Sequence, residues 1–191
     1  MSSFFFLIFA LTYLRFYANI ILVLYCKAYH KNNMKIKNIW LLLLSLFIPL
    51  AVGYLGSLLT MPGLASWYGG LTKPAFTPPN WLFGPAWTLL FILMGLAFFL
   101  ILRDGRENKN FSAAWMSFGA QLFLNIYWSF LFFFVQEPPL AFYGLISLWS
   151  MIFVNIYYFY QIKKSAVYLL IPYIAWVTFA GALNYSIWYL N

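Results

Sequence analysis

Five long apolar runs constrain the fold of this chain more than any other feature of its sequence. Each is close to the length, about 17–25 residues, that a helix needs to cross the hydrocarbon core of a bilayer. Only 7% of the 191 residues are charged, and the runs lack the polar–apolar alternation of barrel strands. The sequence therefore predicts an all-α integral membrane protein, a five-transmembrane-helix bundle in the lipid bilayer. The runs are Trp40–Thr60, Pro85–Leu102, Phe111–Val135, Leu140–Ile162 and Ala166–Leu190.

The basic residues are distributed unevenly between the segments that separate these runs. Three alternate segments hold most of the eleven Lys and Arg residues, whereas the opposite segments hold only Lys73. Because positively charged loops stay in the cytoplasm, we expect the 61–84 loop and the C-terminus to lie outside. The net charge of +8 thus indicates topology, and without a nucleic-acid motif no nucleic acid is expected as a partner. The basic residues of the alternate segments are Lys27, Lys31, Lys35, Lys37, Arg103, Arg106, Lys109, Lys163 and Lys164.

An additional apolar run, Phe4–Cys26, precedes the five and contains Arg15. It lacks the basic region and cleavage site of a signal peptide. It is either an extra transmembrane helix or an upstream extension of a reading frame that starts at Met34, which opens MKIKNIWLLLL. We favour the second interpretation, in which residues 1–33 are a dispensable extension and residues 34–191 form the membrane domain. N-terminal sequencing of the expressed protein tests this choice.

Ionisable residues are absent from the five runs, since Asp104, Glu107 and Glu137 all fall between them. Ion-coupled transporters usually carry an ionisable group within the membrane, so this class is disfavoured. Acid–base catalysis by a carboxylate or histidine within the bundle is disfavoured for the same reason. The chain has one Cys and one His, so neither a metal site nor a cofactor is expected.

Three of the runs carry a stripe of aromatic and amide residues at helical spacing. Side chains three or four positions apart share one helical face. Each stripe alone is typical of ordinary interhelical packing, and Gly53 and Ser57 are expected to be packing positions only. The convergence of three stripes, each with a tryptophan, favours instead one aromatic cavity with a few polar anchors. The stripes are Gly84, Trp87, Phe91, Met94 and Phe98; Gln121, Asn125 and Trp128; and Tyr173, Trp176, Ala180 and Asn184.

Three blocks of sequence carry a family resemblance. They read WYGGLTKPAFTPPNWLFGPAWTLLFILMG (67–95), QLFLNIYWSFLFFF (121–134) and LLIPYIAWVTFAGALNYSIWYLN (169–191). In their order and spacing they resemble the translocator protein family. Its bacterial members are called tryptophan-rich sensory proteins, and its animal members are called peripheral-type benzodiazepine receptors. The resemblance covers roughly residues 34–191.

The resemblance implies a five-helix bundle, often a homodimer, with a ligand cavity closed by the 61–84 loop. The family binds porphyrins such as protoporphyrin IX, as well as isoquinoline carboxamides, benzodiazepines and, in animals, sterols. Trp87 and Trp176 match tryptophans implicated in light-dependent porphyrin breakdown, and Ala180 matches a position where a small residue keeps the helix surface open. The ligand-binding residues implied by matching positions are Tyr68, Pro78, Phe83, Trp87, Phe91, Asn125, Trp128, Trp176, Ala180 and Leu183.

Two positions depart from the family pattern. Phe76 replaces the tryptophan of the KPxWxPP block, which keeps the aromatic bulk and loses the indole N–H. No basic residue follows Tyr185, as the animal sterol motif requires. A dedicated cholesterol site is therefore not expected, and a bacterial plasma membrane is the expected location.

These observations favour one function and leave two alternatives open. The favoured function is a membrane receptor or carrier for tetrapyrroles such as protoporphyrin IX. The first alternative is a light-dependent porphyrin-degrading enzyme, with Trp87 and Trp176 as its catalytic candidates. The second is a membrane sensor that acts through a partner at the loop Arg103–Asn110. In all three, Pro74, Pro78 and Pro79 stiffen the segment that closes the cavity.

Overall fold

The computed structural model describes residues 36–191, and no strand occurs in this part of the chain. Five of its helices are long and apolar enough to span a membrane. The predicted all-α, five-helix class is confirmed. The run Phe4–Cys26, and with it the choice of start site, lies outside the described residues. The helices are α1 (Ile36–Ser66), α2 (Phe83–Asp104), α3 (Phe111–Ser129), α4 (Pro138–Ile162) and α5 (Lys164–Leu190).

The five helices differ in how deeply the bundle buries them. Half of the α2 span is buried inside the protein, whereas only 11% of the α1 span is. Helix α2 packs against both α1 and α5, and α3 and α4 complete the ring of neighbours. Helix α1 is therefore the peripheral member, and most of its surface is left for lipid.

Ring stacking and amide hydrogen bonds join the helices at the end of the bundle where α2 ends and α3 begins. There the rings of Phe98 and Phe118 stack in parallel with centroids 4.2 Å apart. The amide of Asn155 on α4 donates hydrogen bonds to the Ala114 carbonyl and the Ser117 hydroxyl of α3, at 3.3 and 3.0 Å. The buried polar groups of α3 and α4 are thus paired with each other here, as buried polar groups usually are.

Helix α1 continues past its predicted end at Thr60 to Ser66, and it passes through Pro62. The predicted 61–84 loop was therefore too long at both ends, because α2 also begins earlier, at Phe83. A proline removes one backbone donor, here the one that the Leu58 carbonyl would accept from, yet the helix continues. The Ser66 hydroxyl donates to the Pro62 carbonyl at 2.8 Å. Only the 16 residues 67–82 connect the two helices, and they include two short 3₁₀ turns.

Helix α3 does not end at Ser129 but widens into a π-helix, Phe130–Phe134. The Val135 N–H donates to the Phe130 carbonyl at 2.9 Å, five residues back. The chain then reverses through Gln136, whose φ of 63° is the one positive value among the described non-glycine residues. Single π-turns of this kind are often found at functional sites.

Candidate ligand cavity

A cavity of about 600 Å³ lies between α1, α2, α3 and α5, beneath the segment 67–82, which we call the lid. Ligand pockets in proteins commonly measure about 300–1,000 Å³. The cavity is mostly apolar, and its lining contains no Asp, Glu, His, Lys or Arg from the described residues. It is thus suited to a flat, hydrophobic molecule rather than to acid–base chemistry.

Nine of the ten residues predicted to bind ligand line this one cavity. Pro78 is the exception, because it is buried within the lid and does not reach the cavity surface. The ligand contact of Pro78 stays a prediction, and in this structure the residue lies within the lid. The nine lining residues are Tyr68, Phe83, Trp87, Phe91, Asn125, Trp128, Trp176, Ala180 and Leu183.

Trp87, one turn into α2, is the centre of the aromatic wall. Its ring lies 5.7 Å from that of Phe91 and 6.2 Å from that of Trp128, both at shallow angles. Trp176 meets it almost perpendicularly at 6.5 Å. Offset and edge-to-face arrangements at such distances are favourable for aromatic pairs. The three predicted stripes thus meet at one indole.

Two sets of hydrogen bonds between helices fix the polar side of the cavity. The Tyr173 hydroxyl donates to Gln121 at 2.7 Å and accepts from the amide of Asn125 at 3.1 Å. The Trp128 indole donates to Asn184 at 3.2 Å, and the Asn184 amide donates in turn to a backbone carbonyl at the start of α4. Because these amides are held by partners on other helices, they orient Trp128 and Asn125 before any ligand binds.

Two side chains of the cavity wall carry polar atoms without a partner. The Tyr68 hydroxyl and the Trp176 indole nitrogen are buried and make no hydrogen bond within the described part of the chain. Burial also raises the pKa of the Tyr68 phenol above its usual value, because the charged form would be desolvated. An unsatisfied buried group costs about 1–3 kcal/mol, so these two atoms are candidate anchors for a ligand acceptor.

The lid is held to the end of α5. The side chain of Asn191 accepts from the Thr72 N–H at 2.9 Å and donates to the Thr72 carbonyl at 3.0 Å. The ring of Phe76 lies 6.2 Å from that of Phe179. The ammonium of Lys73 lies 4.6 Å from the centre of the Tyr68 ring, within the range of a cation–π contact. These contacts close the lid over the cavity.

Helix α1 supplies a wall that the sequence prediction missed. Gly53 and Ser57 were expected to be packing positions only, yet both line the cavity. Gly53 also makes room for Phe91, since a Cβ there would collide with that ring. The signal was present as small residues at positions 53, 56, 57 and 60, which share one helical face. The π-helix adds Phe132 and Phe133 to the same side.

The comparison with known families fits this geometry. A model of the TspO/MBR family matches residues 45–190, which is most of the chain and all five of its spans in whole or in large part. The chain belongs to the TspO/MBR family. The resemblance read from the three sequence blocks is thereby confirmed.

Individual TspO/MBR relatives align over most of their length. The tryptophan-rich protein TspO of Archaeoglobus fulgidus is 43% identical over 154 residues, which are 81% of this chain and 99% of the relative. The corresponding protein of Chlorobaculum tepidum is 42% identical over 156 residues, 81% and 98% of the two chains. The translocator protein of Bos taurus is 33% identical over 145 residues, 75% and 86%. Together with the five spans, membership establishes a multi-pass integral membrane protein and supports a receptor or sensor role.

Proposed function

We propose that this protein binds a tetrapyrrole such as protoporphyrin IX in the cavity, as a membrane receptor or carrier. The observation that carries the proposal is Trp87, which lies in ring contact with Phe91, Trp128 and Trp176 on the cavity wall. A flat macrocycle offers a large apolar face to such a wall, and aromatic contacts add to the free energy of burying that face.

The two unpartnered donors of the cavity support a ligand that carries oxygen acceptors. Protoporphyrin IX has two carboxylate side chains beside its apolar ring. A carboxylate that accepted a hydrogen bond from Tyr68 or Trp176 would recover much of the free energy that burial of these groups costs. A hydrocarbon of the same size would leave both groups unsatisfied.

Titration of the purified full chain with protoporphyrin IX, followed by tryptophan fluorescence, tests the proposal. We expect the double variant Trp87→Phe/Trp176→Phe to weaken binding about tenfold or more, since truncated aromatic contacts of about 1 kcal/mol each add up. Trp115→Phe is the matched control, because Trp115 is 49% exposed and lies outside the cavity lining. Equal affinities of the double variant and the control would show that the pocket is elsewhere.

A second candidate function is light-dependent degradation of the bound porphyrin. The indoles of Trp87 and Trp176 lie 6.5 Å apart on the same wall, so an excited pigment between α2 and α5 would be within reach of both. Dissolved oxygen would be the oxidant. Illumination of the complex in air should then yield a new absorbing product, which neither the dark sample nor the double tryptophan variant gives. If the porphyrin spectrum only bleaches as fast as in free solution, the protein binds without degrading.

We also propose an orientation for the bundle, based on the uneven distribution of its basic residues. We place the lid outside the cytoplasm, because it holds one basic residue, Lys73, while Arg103, Arg106 and Lys109 flank the other end of α2. Labelling of single cysteines at Thr72 and at Lys109 with an impermeant reagent in intact cells tests this. Labelling of the Lys109 position alone would reverse the assignment.

We also propose a homodimer, which rests on the family resemblance alone. Light scattering of the protein in detergent, corrected for bound detergent, gives its mass. A mass near the 22.3 kDa of one chain at all concentrations would exclude the dimer in that detergent.

A further inference from the structure

Helix α1 changes its packing partner along its length. In the half away from the lid it packs on α2, where Gly95 approaches the backbone of Ser45 and Leu46. Gly53 next meets the ring of Phe91, still on α2. Farther towards the lid, Gly56 faces the Ser129 hydroxyl of α3, and Gly63 lies against the Phe133 backbone. Towards the lid, the glycines of α1 therefore face α3 rather than α2.

On the side between α1 and α2, which we call the crevice, the cavity is lined by residues of both helices that remain exposed. Gly84 lines the cavity, and a Cβ added there would meet no atom within 4 Å. On the facing helix, Tyr54 and Met61 also line the cavity while remaining 66% and 65% exposed. All three residues lie within helices long and apolar enough to span a membrane, so we expect the outer surface beside them to face lipid.

The other boundary of the cavity is the lid, whose first part is buried and held by hydrogen bonds. Tyr68, near the start of the lid, is only 3% exposed, whereas Asn80 and Trp81, at the end of the lid where α2 begins, line the cavity and are exposed. The backbone of Thr72 is held at both its N–H and its carbonyl by Asn191. A ligand that entered past Thr72 would have to break these contacts, whereas the side between α1 and α2 is lined by the exposed residues Tyr54, Met61 and Gly84.

We propose that the cavity exchanges its ligand with the bilayer through the crevice between α1 and α2. The ligand is then a molecule that partitions into the membrane and is thin enough to pass edgewise between two helices. This inference rests on the proposed function only for the identity of the ligand. The crevice, and not the lid, sets the rate at which the cavity fills.

A thiol inside the cavity reports on access without any tetrapyrrole. The sole cysteine, Cys26, is replaced by serine, and Ser129→Cys is introduced on the cavity wall, where the residue is 7% exposed. The full chain is reconstituted in vesicles and labelled either with pyrenylmaleimide dissolved in the bilayer or with an impermeant sulfonated maleimide in the water. Gly84→Leu is added to narrow the crevice, and Gly119→Leu is its matched control. Gly119 also has no atom within 4 Å of an added Cβ, and it does not line the cavity.

We expect the bilayer reagent to label the cysteine of Ser129→Cys. Adding Gly84→Leu should slow this labelling about tenfold. Adding Gly119→Leu or Asn191→Ala should leave the labelling rate unchanged. Three results would overturn the proposal. The first is equal labelling rates in Gly84→Leu and Gly119→Leu. The second is faster labelling from the water, accelerated further by Asn191→Ala. The third is no labelling from the bilayer when the detergent-unfolded protein does react. Because neither reagent is a porphyrin, failure to bind protoporphyrin IX would refute the proposed function and leave this result standing.

Discussion

Two buried tyrosines show how differently the same side chain is used in this protein. Tyr173 is 1% exposed, and its hydroxyl is fully engaged, donating to Gln121 and accepting from Asn125. Tyr68 is 3% exposed, and its hydroxyl has no hydrogen-bond partner among the described residues. One hydroxyl therefore contributes to stability, while the other costs stability and is retained at the cavity wall.

The two tyrosines should respond to removal of the hydroxyl with opposite signs. Tyr68→Phe is expected to raise the free energy of unfolding by about 1 kcal/mol, because an unsatisfied buried group is removed, whereas Tyr173→Phe should lower it by about 1–2 kcal/mol. Denaturation of the detergent-solubilised protein with increasing sodium dodecyl sulfate measures both. Tyr68→Phe should also weaken binding of protoporphyrin IX. A loss of stability in both variants would mean that the Tyr68 hydroxyl has a partner in solution.

Glycines set the distances between helices at the scale of whole elements. Gly95 on α2 is buried, and a Cβ there would lie 2.8 Å from the Ser45 carbonyl oxygen and 2.9 Å from the Leu46 Cα. Both are backbone atoms, which cannot rotate away as a side chain does. Gly95 therefore permits the closest backbone approach between α1 and α2 in the half of the bundle away from the lid.

Gly95→Ala is expected to lower the free energy of unfolding by about 1–3 kcal/mol, because the added methyl group must push α1 outwards. Gly119→Ala on α3 meets open space and should be neutral or raise stability by up to about 1 kcal/mol, since alanine is the better helix former. The same detergent denaturation compares the two variants. Equal effects of the two substitutions would show that helix propensity, rather than the α1–α2 contact, governs the change at Gly95.

At the scale of the whole molecule, one contact joins segments that are far apart in the sequence. Asn191 holds Thr72 from 119 residues away, and it also donates to the Ile187 carbonyl at 2.8 Å. The end of α5 thus determines the position of the lid that covers the cavity between α1, α2 and α3.

Loss of the Asn191 side chain should free the lid backbone. We expect Asn191→Ala to speed hydrogen exchange at the Thr72 amide about tenfold, because that N–H loses its acceptor and becomes available to water. Asn191→Asp keeps an acceptor oxygen and loses both N–H donors, so the Thr72 amide should exchange at a rate between those of the unsubstituted protein and Asn191→Ala. Mass spectrometry of peptides that cover residues 67–82 gives the rates. Unchanged exchange in Asn191→Ala would mean that prolines and ring contacts alone order the lid.

The sequence predicted the number of helices well because length and apolarity are local properties. The end of α1 was misplaced, since a proline at position 62 interrupts one hydrogen bond without ending the helix. Aromatic residues at helical spacing identified the walls on α2, α3 and α5. The α1 wall escaped because Gly53 and Ser57 look the same whether they face a cavity or a neighbouring helix.

The contact of Asn191 with Thr72 could not be predicted in the same way. A single amide carries no pattern that indicates a partner 119 residues away. The widened turn Phe130–Phe134 was equally hidden, because five consecutive apolar residues look alike in an α-helix and in a π-helix.

That widened turn also sets the rotational register of the residues that follow it. A π-turn is in effect one residue inserted into a helix, and each residue of an α-helix advances the direction of its side chain by about 100°. Deleting one residue between 130 and 134 would restore ordinary winding and rotate everything that follows by roughly that angle, Gln136 and the reversal included. The length of this stretch, more than its composition, thus decides that both Trp128 before it and Phe133 within it face the same space.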